Sequence, residues 1–262
     1  FGFGLEGLLK YRQRVCSGII NGIDEAYWNP ATDPFLAENY DSKTFSKKKS
    51  LNKLALQKKM GLKQDTEPML LAFIGRLVEQ KGIDIILEYI KKHLADSPMQ
   101  LVILGSGEAQ FETALTTLHK RFKDKLGLYI GYNEKLAHLI EAGADVFLMP
   151  SRFEPCGLNQ MYSMRYGTLP LVNRVGGLND TVSHASSDAI NRAEATGFIL
   201  EKLTVKNLKE TIAYAQTLYR KPRSWNKIVR SAMSQDFSWN ASAKEYVRLY
   251  EIALLQKHHT AR

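Results

Sequence analysis

Five short apolar runs, separated by amphipathic stretches, constrain this chain more than any other feature of its sequence. The runs are 69–75 (MLLAFIG), 99–104 (MQLVIL), 126–130 (LGLYI), 145–149 (DVFLM) and 169–172 (LPLV). Between them, 81–94, 108–121, 134–142 and 158–166 carry apolar residues at helical spacing. A strand buried on both faces loses the in–out alternation of a half-exposed one. Continuous apolar strands alternating with helices therefore predict a parallel sheet covered on both sides. The expected fold is α/β, a doubly wound, mostly parallel, Rossmann-like sheet, whose ligands lie outside the carboxyl ends of the strands. Beyond the alternation, 204–220, 223–235 and 239–257 read as three extra helices with no strand between them. Residues 25–68 are polar and lysine-rich, and read as loops plus one helix near 50–60 that stops at Gly61. No internal repeat or low-complexity segment interrupts this plan.

The bulk numbers narrow the function classes. With 262 residues, 44% of them hydrophobic, the chain can bury the core of one large domain, or of a domain plus an appendage. No run of about eighteen apolar residues is present, so no membrane partner is expected. The sequence opens on Phe1-Gly2-Phe3-Gly4 without Met or a signal peptide, which suggests a fragment or a processed product. Cys16 and Cys156 have no CxxC partner, so neither a disulfide framework nor a cysteine zinc site is available. That fits a reducing cytoplasm. Cys16 lies in an apolar context (Val15, Ile19, Ile20), and no HExxH spacing occurs among six histidines, including His258-His259 near the end. No metal is expected. The net charge of +9 fits either a solvated basic surface or attraction to a phosphorylated ligand or nucleic acid. Lys47-Lys48-Lys49 has no interleaved aromatics to stack on bases, so nucleic acid is not an expected partner.

Every motif with chemical potential begins where a strand should end. Gly75-Arg76-Leu77-Val78-Glu79-Gln80-Lys81-Gly82 places two cations in a glycine-bounded loop, where Arg76 and Lys81 can reach a diphosphate. Solvated cations on a surface turn are the plainer alternative. Gly105-Ser106-Gly107 lacks the third glycine of the dinucleotide fingerprint, since position 110 is Gln. No acid follows near 126–130 to hold a ribose, which disfavours a dehydrogenase. Tyr132, at the end of the next strand, can stack on a base or pack into the core. In Pro150-Ser151-Arg152-Phe153-Glu154-Pro155-Cys156-Gly157, an apolar strand hands over to a helix start at Leu158-Asn159 with free N–H donors. Glu154 can accept from sugar hydroxyls or cap the helix, and Cys156 is either a reactive thiol or a small buried hydrophobe. Gly176-Gly177 opens a further helix or marks a tight turn.

Taken in order, NGID…WNP.TD, GRLVEQKG, LGSGE, IGYNE, GADVFLMPSRFEPCGLNQMYSMRYGTLPLV, GGLNDTV, GFIL and DFSW closely resemble the bacterial glycogen synthases and plant starch synthases. The resemblance covers nearly the whole chain but only the C-terminal half of the family's length. It implies half of a two-domain GT-B fold in a retaining glucosyltransferase. FGFGLEGLL resembles the end of the N-terminal domain, so 1–24 would be that domain's end and the hinge, and 25–237 the nucleotide-sugar-binding domain. Residues 238–262 would form a helix packing toward the missing N-terminal domain. Arg76 and Lys81 match the pair that grips the distal phosphate of the donor, and Glu154 matches the carboxylate that contacts the donor glucose. These three are the implied catalytic residues. Cys156, Gly157 and Leu158 match the segment around glucose and phosphate, Tyr132 an aromatic that stacks on adenine, and Asn21 a hinge-side residue near the donor. Gly105 and Gly107 complete the substrate-binding set. Asn159 departs from the Thr of the relatives, yet its side chain can still hydrogen-bond. The partners implied are ADP-glucose, an α-1,4-glucan acceptor and the missing domain, with no cofactor. Two other readings stand beside this one. A different GT-B nucleotide-sugar transferase would more often carry E-x-F-G in place of E-P-C-G, and a non-catalytic nucleotide-binding module would not need the strand-end motifs.

Overall fold

The computed structural model describes residues 4–260, with side-chain surroundings as far as Leu255. The first three residues of FGFGLEGLL and the side chains of His258 and His259 lie outside the described residues. In chain order, α1 (Glu6–Arg12) and α2 (Phe45–Lys59) precede β1 (Leu70–Ile74). Then α3 (Ile83–Tyr89), β2 (Gln100–Gly105), α4 (Ala109–Arg121), β3 (Leu126–Ile130), α5 (Glu134–Gly143) and β4 (Val146–Met149) alternate. The alternation continues through α6 (Asn159–Arg165), β5 (Leu169–Asn173), α7 (Gly176–Thr181), α8 (Ser187–Arg192) and β6 (Phe198–Leu200). The remaining helices are α9 (Val205–Tyr219), α10 (Pro222–Met233) and α11 (Trp239–Thr260).

All six strands are parallel, in the order β3-β2-β1-β4-β5-β6. The sheet is therefore wholly rather than mostly parallel. Leu71 pairs with Leu101 on one side and with Val146 on the other. Between β1 and β4 the winding reverses, which opens a crevice at the carboxyl ends of these two strands. Strands β2, β4 and β5 are buried at every position, because α3 packs with α4 and α9 while α5 packs with α2 and α6. Local signals set the helix starts. Asn133 Oδ1 accepts from Leu136 N at 3.0 Å to cap α5, Thr204 caps α9, and Pro222 opens α10.

Two differences from the sequence reading stand out. Helix α2 begins at Phe45 rather than near 50, so the polar run Lys47-Lys48-Lys49 is helical. Its interior lysines are used as donors. Lys53 Nζ is buried on Asp145 Oδ2 at 2.8 Å and on the carbonyls of Thr66 and Pro68, while Lys49 Nζ donates to Ala142 O and Thr168 Oγ1 at 2.8 and 2.7 Å. Strand β6 and helix α8 were not anticipated.

The chain forms two compact units, one of Phe1–Glu25 with Asp236–Arg262 and one of Ala26–Gln235. The smaller unit joins the two end segments read from the sequence as 1–24 and 238–262. Ile23 N donates to Phe237 O at 2.8 Å, and Ser242 Oγ donates to Ile20 O at 2.8 Å. In this unit Cys16 is exposed, despite its apolar neighbours.

Candidate active site

The strand exits of the larger unit bring most of the candidate residues to one crevice. From β1 the chain passes through exposed Arg76 into a single 3-10 turn, Glu79–Lys81. From β4 it passes through 150–157 to the start of α6. Lys81 Nζ donates to Glu154 Oε2 across the gap, and both side chains are largely buried. Glu154 thus pairs with a cation instead of capping α6. Arg76 Nη2 donates to Gln80 Oε1 at 3.1 Å, and Gln80 Nε2 donates to Phe153 O at 2.6 Å. Arg152 closes the same wall with two 2.8 Å bonds to the Asp84 carboxylate and one of 2.6 Å to Glu79 O. Gln80 and Arg152 were not singled out from the sequence. They hold the two loops in register, and only their position beside the motif residues pointed to them.

Glycine makes this closeness possible. At Gly82 a β-carbon would collide with the Pro150 carbonyl, and the residue sits at φ 73, where L side chains are strained. At Gly177 a β-carbon would overlap the Cys156 backbone. Gly105 and Gly107 work similarly, facing the carbonyls of Gly75 and Leu77, while Leu77 N donates to Ser106 O at 2.9 Å. Their immediate task is to let the β1 and β2 loops touch.

Beside the crevice lies a pocket of about 310 Å³ walled by Gly75, Arg76, Gly105, Ser106, Tyr132 and Asn159, among others. Larger depressions exist elsewhere, but this one carries the convergent cation, amide and aromatic groups, so we assign the site by chemistry rather than by size. Tyr132 is 83% exposed, which leaves its ring face open and excludes a packed role. Asn159 Nδ2 donates to Ile74 O at 3.0 Å, so this side chain ties α6 to the end of β1. The amides of Gly157, Leu158 and Asn159 donate to no other group among the described residues. Cys156 is half-buried with its Sγ toward Gly157 O at 3.3 Å, and Leu158 is 38% exposed. Gln160 Nε2 holds the turn through Cys156 O and Gly157 O. Asn21 lies in the smaller unit, where it is exposed.

Behind the site, Trp28 is stacked between His138 of α5 and Tyr162 of α6, at ring separations of 3.9 and 4.0 Å. Asp33 Oδ2 accepts from His138 Nδ1 at 2.6 Å and from the Tyr166 hydroxyl at 2.5 Å. Burial pushes the Asp33 carboxyl up, but these bonds and the Phe35 amide outweigh it and hold the group below the usual carboxylate range. The cluster fixes two helices whose first residues line the site. Among the described residues, no group of three or more His, Cys, Asp or Glu side chains could hold a metal ion.

Residues 56–232 match the glycosyl transferases group 1 family. The chain belongs to that family. Among glycosyl transferases group 1 relatives, glycogen synthase 1 of Methylococcus capsulatus is 48% identical over 254 residues, which is 97% of this chain and 51% of the relative. A glycogen synthase of Cellvibrio japonicus is 49% identical over 95% of this chain and 51% of its own length. The chain thus spans about half the length of the curated relatives it matches. The catalytic domain of starch synthase IV from Arabidopsis thaliana, solved with ADP and acarbose, superposes with a TM-score of 0.87 at 38% identity. That superposition covers 95% of this chain and 51% of the plant structure, so the six-stranded sheet is the GT-B half expected from the sequence. No helix among the described residues is long and apolar enough to cross a membrane.

Proposed function

We propose that this chain is the donor-binding half of a retaining glucosyltransferase that moves glucose from ADP-glucose to the 4-hydroxyl at the non-reducing end of an α-1,4-glucan. The observation that carries this reading is the Lys81–Glu154 contact across the β1/β4 crevice, with Arg76 and the open Tyr132 ring alongside. In this reading the pair puts a cation suited to phosphate beside a carboxylate suited to sugar hydroxyls. Similarity to glycogen synthases and to a starch synthase solved with ADP supports the donor and the acceptor.

In this reading adenine stacks on Tyr132, and the diphosphate lies between Arg76, Lys81 and the amides of 157–159. Negative charge builds on the distal phosphate as the glycosidic bond breaks. Preorganised donors aimed at that charge each contribute roughly 2.7–4 kcal/mol to the barrier reduction. Glu154 accepts from glucose hydroxyls and orients the sugar. Cations take the part that a metal plays in other transferases, so no cofactor is assigned. The glucan and the remaining wall of the cleft are assigned to the part of the relatives that this chain does not span. In this reading helix α11, whose Val247, Tyr250 and Leu254 are exposed, packs toward that part. Two free cysteines fit a cytoplasmic setting.

Calorimetric titration of these 262 residues with ADP, UDP and GDP tests the donor. ADP should bind measurably and best, whereas equal affinity for all three would remove the adenine assignment. Transfer of labelled glucose to glycogen should be undetectable with this chain alone, because positioning the acceptor is worth about 7–11 kcal/mol of the barrier. Robust elongation would place the acceptor site on this half.

A further inference from the structure

A second depression, of about 680 Å³, lies in the Ala26–Gln235 unit away from the strand exits, and it shares no lining residue with the donor pocket. Ser42 and Lys43 reach it from the segment before α2, Ala193 from the end of α8, and Lys227, Arg230 and Ser231 from α10. Three cations therefore converge on one concavity, and no carboxylate lines it. Glu194, next to Ala193, is paired with Arg192 Nε at 2.9 Å, and Asp41, next to Ser42, is likewise engaged. Its Oδ1 accepts from the amides of Lys43 and Thr44 and from the Thr44 hydroxyl at 2.8–2.9 Å. Among the described residues, none of the three cations forms an ion pair.

Two of these cations are held in place. Lys227 Nζ donates to Asn191 O at 2.6 Å, and the Arg230 guanidinium lies 5.7 Å above the ring of buried Phe45. The third wall is the end of α8. Ala193 has φ 58, the only positive value at a non-glycine residue among those described, and Ser231 Oγ clamps its carbonyl at 2.8 Å. This conformation is the left-handed cap that ends α8, with the Ala193 amide donating to Ile190 O at 3.2 Å. Lys43 and Arg230 are exposed, so water solvates these cations, and an anion between them would add attraction from all three.

We propose that this depression is an anion site for a phosphomonoester-class ligand, inorganic phosphate or a sugar phosphate, separate from the donor pocket. The planar fork of Arg230 and the two ammonium groups match the oxygens of a phosphoryl dianion, and Ser42 adds a hydroxyl donor. No aromatic ring is among the lining residues, so stacked bases are not the ligand. The assignment does not depend on the proposed activity.

Calorimetric titration of the 262-residue chain with inorganic phosphate, and separately with a hexose 6-phosphate, tests it. Binding should weaken about tenfold or more in a Lys227→Gln, Arg230→Gln double variant, as expected when charge-assisted hydrogen bonds are lost. Lys43→Gln, at an exposed position whose side chain supports no other element, should weaken it severalfold without touching the fold. Arg76→Ala should leave it unchanged. Tighter binding of the hexose phosphate would identify an ester as the ligand, and equal affinity would assign the site to the phosphoryl group alone. Absence of binding at millimolar phosphate would overturn the site. So would loss in Arg76→Ala with retention in the α10 double variant, or displacement by a short oligonucleotide.

Discussion

At the scale of single residues, the site depends on where a few charges are held. Arg76 is exposed and tethered only to Gln80, so Arg76→Ala should leave the fold intact. It should weaken ADP binding by about 1.5–3 kcal/mol, the worth of a charge-assisted bond, and weaken adenosine binding far less. Equal losses for both ligands in calorimetry would show that Arg76 does not meet the phosphates. Lys49 makes a different prediction. Burial lowers its pKa to about 7, against an unfolded value near 10.5. Between those values the unfolded chain holds a proton that the folded chain does not, so this residue makes stability rise with pH from about 7 to about 10. Urea titrations across that window should give a steeper rise for the wild type than for Lys49→Met, and parallel slopes would remove the effect. The placement of Arg76, Lys81, Glu154 and Tyr132 beyond strand ends was legible in the sequence because each follows an apolar run, and Arg76, Lys81 and Tyr132 also stand beside glycine. The Lys81–Glu154 contact and the Gln80–Phe153 bond were not, since they join loops far apart in sequence and leave no periodic trace. The exposure of Cys16 was not legible, because apolar neighbours say nothing about whether a segment is covered.

At the scale of elements, buried lysines hold α2 against the sheet. Lys53 donates to Asp145, which also accepts from Leu70 N at 2.8 Å, so one carboxylate joins α2, β1 and the start of β4. Asp145→Ala should destabilise the fold by roughly 3–5 kcal/mol, because it leaves an ammonium buried without its partner. A loss below about 1 kcal/mol in chemical denaturation would mean that water reaches Lys53. These lysines explain why α2 was read five residues too short. A run of three Lys has the composition of a solvated loop, and nothing local reveals that backbone carbonyls wait to receive two of the amines. Strands β1 to β5 were readable because each is a long enough apolar run to register against its neighbours. Strand β6 has only three residues, and its pairing with β5 is supplied by the sheet rather than by its own pattern. Helix α8 is six residues long and has a Ser186 cap, a signal too short to separate from a turn.

At the scale of the whole molecule, the order of assembly is written into the smaller unit. Its first segment precedes every strand and its second follows them all, yet Ile23 and Ser238 are paired by a bridge. Contacts between residues so distant in sequence are the slowest to form, because the loop between them must be closed before they gain anything. Pulse-labelled hydrogen exchange during refolding should therefore protect the Ile23 amide after those of Leu71 and Val102. Simultaneous protection would mean that the unit and the sheet fold as one. On the ribosome, the same delay leaves Gly22 and Ile23, which are buried against Phe237, Ser238 and Trp239 in the finished unit, waiting through the synthesis of all six strands for a segment still to be translated. A truncation anywhere before Asp236 would strand them permanently, so chaperone capture and proteolysis should discriminate sharply between finished and unfinished chains.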